Sequence, residues 1–112
     1  MKKASDIVKD IGIPYAYDHF AEGESPDPPF ICYRCPKSHN FSADGMVFLK
    51  IDQCEMELYT DTKNPATESR LEKALDDAGI FYEKSEVWID SEKLYEVLYQ
   101  FSMEGMTNDQ EE

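Results

Sequence analysis

The sequence predicts an α+β domain, a mainly antiparallel sheet of about five strands with two helices packed on it. Three observations carry this. The run Met46 to Asp61, MVFLKIDQCEMELYTD, is the longest stretch with two-residue periodicity, as a strand with one buried face requires. Two other stretches repeat apolar residues at helical spacing and end at glycines. Their stripes are narrow, and a sheet face would cover them. The remaining apolar runs are short, rich in aromatic residues and separated by polar loops.

Lys3 to Ile11 reads as the first helix, because Ala4, Ile7, Val8 and Ile11 fall on one side of the cylinder. Gly12 can take the left-handed conformation that stops it, and Pro14 prevents it from resuming. Tyr15 to Phe20 follows as a strand with three aromatic residues. Ala21 to Pro29, AEGESPDPP, is a loop, since its glycine and three prolines cannot sit inside a ladder. It is longer than a tight hairpin requires, and it reads either as a connector or as a partner contact.

Phe30 to Cys35 is expected to be an interior strand, apolar on both faces except at Arg34 and stopped by Pro36. Lys37 to Gly45 reads as a second polar loop that turns at Asp44-Gly45 into the central strand. Its one large apolar residue, Phe41, either pins the loop to the core or anchors a partner; pinning is the preferred reading. In the central strand the apolar set changes phase, from Val47, Leu49 and Ile51 to Cys54, Met56 and Leu58. One extra residue in a β-bulge near Asp52-Gln53 would restore the phase in a long, bent strand.

Asn64 as cap and Pro65 at the first helical position open the second helix. Leu71, Ala74, Leu75 and Ala78 form its stripe, Lys73 and Asp77 can pair across a turn, and Gly79 ends it. Ile80 to Ile89 reads as a strand with an exposed middle at Glu83 to Glu86, and Asp90 to Lys93 as a short turn. Leu94 to Met103 fits either period, but its aromatic residues and short link favour a strand hairpinned on the preceding one. Residues 1–103 are therefore read as one domain, and 104–112 as an acidic, disordered tail.

The chain has 112 residues, 24 acidic against 11 basic, and a formal charge of -13. Seven Tyr, six Phe and Trp88 supply core mass. The charge argues against binding a nucleic-acid backbone or an anionic membrane, both of which require Lys and Arg. The start Met1-Lys2-Lys3 resembles that of a secretion signal, but Ser5, Asp6, Lys9 and Asp10 interrupt the apolar segment that should follow. No run is long enough to span a membrane. Three cysteines in such a chain are expected to be reduced cytoplasmic thiols.

Cys32-Tyr-Arg-Cys35 is the motif that most invites chemistry. Zinc would need His39 and Cys54 as well, and redox use needs a helix N-terminus rather than Pro36. Residues three apart on a regular strand point to opposite faces, so both thiols are read as small core residues. His19 has no spacing signature that would make it the base for Cys32, and it reads as structural. Glu55 and Glu57 share a strand face, as paired glycosidase carboxylates can, but an acidic chain makes such pairs by chance. The sequence has no phosphate-binding glycine loop, no serine elbow and no basic–aromatic patch. No enzyme, cofactor or metal site is expected.

Several segments, in order over roughly Ile7 to Phe101, resemble the tail terminator proteins of long-tailed bacteriophages and prophages, which complete the tail and join it to the head. They are Gly12-Ile-Pro-Tyr-Ala-Tyr-Asp-His-Phe20, Pro28-Pro-Phe-Ile31, Asn40-Phe-Ser-Ala-Asp44, Glu57-Leu-Tyr-Thr-Asp61 and Glu86-Val-Trp-Ile89. Cys32, Cys35 and the acidic end after Met103 are not part of the likeness. The resemblance implies an α+β fold and a virion protein made in the host cytoplasm. It implies a hexameric ring that caps the tail tube, stops its growth and meets the head connector. DNA would pass the lumen unbound, and acidic walls suit that. Partners would then be other copies of the chain in the assembled tail, with the lone subunit either a monomer in solution or already a ring, together with the tube protein and the connector protein. The expected contacts are in the two polar loops, at Glu22, Glu24, Asp27, Phe41 and Asp44. The rival readings are another neck or tail completion component, an acidic DNA mimic that inhibits a host enzyme, and a small thiol or zinc protein.

Overall fold

The computed structural model describes residues 3–38, 41–43, 46–49 and 51–104. The elements are α1 (Ala4–Ile11), β1 (Tyr15–Tyr17), β2 (Phe30–Ser38), β3 (Phe41–Ala43), β4 (Met46–Leu49), β5 (Ile51–Thr60), α2 (Pro65–Asp77), β6 (Tyr82–Ile89) and β7 (Leu94–Glu104). The fold is α+β. Five strands form one sheet in the order β1-β2-β5-β7-β6, and β3 and β4 form a second, two-stranded sheet. β1 runs parallel to β2, and every other pair in the main sheet is antiparallel.

β5 lies at the centre. Its burial alternates, with Cys54, Met56, Leu58 and Thr60 inward and Glu55, Glu57 and Tyr59 on the other side. It pairs with β7 without interruption from Ile51–Glu104 to Thr60–Tyr95. Cys54, Met56 and Leu58 meet Ile31 of β2 and Val97, Tyr99 and Phe101 of β7 in one core. Ala4, Ile7, Val8 and Ile11 of α1 and Leu71 and Leu75 of α2 close that core from the helix side.

Helix ends follow the expected chemistry. Gly12 stops α1 at a φ of 81°. The Arg70 guanidinium donates a 2.6 Å hydrogen bond to the Ile11 carbonyl, one of the acceptors a helix C-terminus leaves open. A Cβ at Gly12 would lie 3.3 Å from that guanidinium, so the position carries both a backbone and a packing demand. At the start of α2, Asn64 accepts a 3.2 Å hydrogen bond from the Thr67 N–H, with Pro65 at the first helical position. Beyond α2, Gly79 has a φ of 73° and the Ile80 N–H donates to the Leu75 carbonyl.

Three expectations are corrected. The run from Met46 is not one bent strand: Met46–Leu49 pair with β3, and pairing with β7 begins at Ile51. Val47 and Leu49 belong to the second sheet, while Ile51 already lies in β5 on the face opposite Cys54, and β5 pairs with β7 there without a bulge. One register shift falls in the β3–β4 pair at Phe48, and in the main sheet the bulge is on β2, where Cys35 and Pro36 together oppose Cys54, between the Arg34–Glu55 and Lys37–Gln53 pairs. Pro36, expected to end the strand, is accommodated there because a bulge frees its position from the ladder. β2 therefore continues to Ser38, and part of the expected second loop is strand. β1 is shorter than expected and ends at Tyr17, where Asp18 turns to a φ of 68°.

The hairpin of β6 and β7 forms as expected, with Ile89 opposite Leu94 across the turn. β7 reaches Glu104, one residue into the expected tail; the rest of that tail lies outside the described residues. Among the described residues, no helix is long and apolar enough to cross a membrane.

Leu71 is fully buried between α2 and the sheet. Leu71→Ala should lower unfolding free energy by about 2–5 kcal/mol, read as a lower midpoint in urea with an unchanged slope.

Candidate assembly surfaces

The loop over residues 18–29 is held at both ends. Asp18 lies 2.7 Å from His19 Nδ1 and 3.6 Å from Arg34 Nη1. Arg34 Nε in turn donates a 3.0 Å hydrogen bond to Glu55. Phe20 meets Phe30 edge-on, and Phe30 stacks on Tyr59, so an aromatic row anchors the loop to the sheet face opposite the helices. The Pro28–Pro29 peptide is cis and leads into β2. Glu22, Glu24 and Asp27 are exposed along this loop, and their carboxylates have no partner among the described residues. The loop thus presents unpaired negative charge, as a contact for a basic partner would.

The second proposed contact is not placed as a loop. The Phe41 backbone pairs with Leu49 in the β3–β4 sheet, and Asp44 lies outside the described residues. The five residues therefore do not form one described site.

The sheet face opposite the helices carries a carboxyl pair made by Glu57 with Glu96 rather than with Glu55. Glu55 is engaged by Arg34, and Glu57 hydrogen-bonds to Glu96 of β7. Burial, then the hydrogen bond and charge of Glu96, raise the Glu57 pKa to about 7. The nearby Cys32 thiol is pushed up to about 11, mainly by burial and then by Glu57. Glu57 and Tyr59 are hydrogen-bonded as well. Glu96 stands opposite Tyr59 in the register, diagonal to Glu57, and only pairing of β5 with β7 reveals this neighbour.

The cysteines also differ from expectation. Cys35 and Cys54 form a disulfide across β2 and β5 in place of two reduced thiols. Tyr33 faces Met56 and Ile31 faces Leu58, so the next inward position on each strand brings Cys35 opposite Cys54. Cys32 stays free and buried, one of the residues on the opposite face, as the spacing argument required. The zinc set considered for Cys32, Cys35, His39 and Cys54 is not assembled: the sheet separates Cys32 from the other two, and His39 lies outside the described residues.

On the helix side, an ionic cluster ties α2 to β6. Glu68 is 4% exposed and receives Lys63 at 2.6 Å and Lys84 at 3.0 Å. Lys84 also reaches Glu72 at 2.7 Å, and Lys63 reaches Glu86. The Tyr99 hydroxyl donates a 2.8 Å bond to Glu72. Burial alone would raise the Glu68 pKa, but the hydrogen bonds from Lys63 and Lys84 hold it below the usual carboxylate value.

A groove of ≈ 820 Å³ runs past the end of α2, between Gly79, Phe81, Gln53 and Met103. Asp77 and Glu83 reach it, without a metal-ligating cluster among the described residues.

No family model matches the chain, and no curated protein matches its sequence. Its fold is similar to that of a chain in the virion of a native gene transfer agent particle, with a TM-score of 0.61 and 14% identity. The likeness covers 88% of this chain and 84% of that one.

Two substitutions test the electrostatics. The depressed Glu68 pKa contributes stability above the unfolded value of 4.5, and that stability is lost as pH falls through the lower folded value. Glu68→Gln should cost about 2 kcal/mol at pH 7, with the gap to wild type closing in acid, by urea titration at several pH values. Glu57 has the opposite sign. Its folded pKa of about 7 exceeds the unfolded 4.5, so stability declines as pH rises between them. Glu57→Gln should gain about 1 kcal/mol at pH 8 and little at pH 4.5, seen as a higher melting temperature only at the alkaline end.

Proposed function

We propose that this chain is a structural component of a phage-like virion, and that within it the chain acts as a tail terminator. The observation that carries the reading is the fold shared with a gene transfer agent virion chain over most of both lengths. The sequence resemblance to tail terminators supports the finer assignment. Its work is binding, with no bond made or broken.

In this reading, copies of the chain close into a ring, taken as hexameric, on the finished tail tube. The ring blocks further tube subunits and offers its far side to the head connector. A closed ring needs two different patches on each subunit. The exposed acids Glu22, Glu24 and Asp27 supply a contact for tube or connector, and the β3–β4 segment with Phe41 a second. The charge of -13 suits a channel through which DNA must slide without sticking.

The test is to remove the protein from an assembling particle and measure tails by electron microscopy. Tubes running past their normal length are the expected result. Tubes of normal length that fail to join heads would move the chain to another neck position. Normal, joined tails would reject both assignments.

A further inference from the structure

Among the described residues, the five exposed large hydrophobic side chains all sit on or beside the two outermost strands of the main sheet. Tyr15 and Tyr17, 40% and 59% exposed, are on β1. Phe81, Val87 and Trp88, 84%, 52% and 42% exposed, are beside or on β6. These strands end the sheet on opposite sides. Each leaves a row of backbone donors and acceptors that another strand would complete.

Charge singles out the same places. In a chain of -13, two copies repel unless they meet where charge is absent or already compensated. All of β1, Tyr15-Ala16-Tyr17, is uncharged, as is the end of β6, Val87-Trp88-Ile89. The carboxylates that flank them are occupied. Asp18 has His19 and Arg34, Glu86 has Lys63, and Asp90 has Lys93 at 3.1 Å.

We infer that the β6 edge of one copy docks on the β1 edge of the next, Val87-Trp88-Ile89 against Tyr15-Ala16-Tyr17, continuing the sheet from subunit to subunit. The occupant is a second copy because one chain carries both halves of the junction, each an exposed, uncharged strand edge bordered by carboxylates that are already ion-paired. The two edges differ, so the contact is head-to-tail, and sheet twist rotates each added copy relative to the last. This rests on the ring reading above and supplies its contact.

The test uses the purified full chain in sedimentation experiments over a range of concentrations. Trp88 is the single tryptophan, so its emission reports burial of the β6 edge. Wild type should assemble beyond a dimer as concentration rises, with a blue shift of that emission. Val87→Lys spoils one edge and Tyr17→Glu the other, both at exposed positions; circular dichroism melts verify that each still folds. Each variant alone should be monomeric, and their equimolar mixture should stop at a one-to-one dimer, because one sound junction remains. Variants that assemble like wild type would overturn the junction. So would a Tyr17→Glu protein that still dimerises while Val87→Lys does not, since β6 would then pair with itself. A wild type that stays monomeric at every concentration also overturns it, while the tail-length experiment judges the terminator reading separately.

Discussion

The two-residue period of β5 is the constraint on which the other elements depend. Cys54, Met56 and Leu58 must leave water together, and strands alone cannot cover them. Two helices therefore lie on that side, their apolar stripes meeting the same residues. The opposite side has no helix over it among the described residues, and there the chain tolerates Glu55, Glu57 and Glu96 beside an aromatic row. A slip of one residue in β5 would exchange the faces, placing carboxylates under the helices. Long, uninterrupted pairing with β7 guards against it.

Much of this was legible in the residues. Both helices announce themselves through local chemistry: the four apolar positions of α1 and its glycine, and the Asn64-Pro65 opening of α2. The last strand was ambiguous in isolation, since its residues fit both periods, and only its hairpin with β6 settles it. The break after Leu49 was hidden because two short alternating runs abut in sequence, and periodicity cannot tell a bulge from a change of sheet. The candidate contacts fared similarly. Loop composition located Glu22, Glu24 and Asp27 on an exposed segment. Glu57 with Glu96, and Cys35 with Cys54, are pairings between distant strands that need the register before they can be seen.

The ionic groups divide into two kinds with opposite effects. Around Glu68, two lysines compensate a buried carboxylate and fasten α2 to the hairpin. At Glu57, a second carboxyl takes the place of a cation, and burial with the Glu96 contact favours the protonated form of Glu57. The first arrangement favours neutral and alkaline solution, the second mild acid. Stability of the whole chain against pH reflects their sum, so neither alone predicts the optimum.

The Cys35–Cys54 bond closes a stretch of 19 positions that contains all of β3 and β4. It crosses just inside the neck of that excursion, two register pairs before the chain leaves the main sheet after Ser38. A pull on the β3–β4 segment would thus be stopped by a covalent rivet before it could peel β2 from β5 beyond Cys35 and Cys54. Mechanically, the β3–β4 segment can bear load while the β2–β5 pairing on the far side of the bond stays zipped.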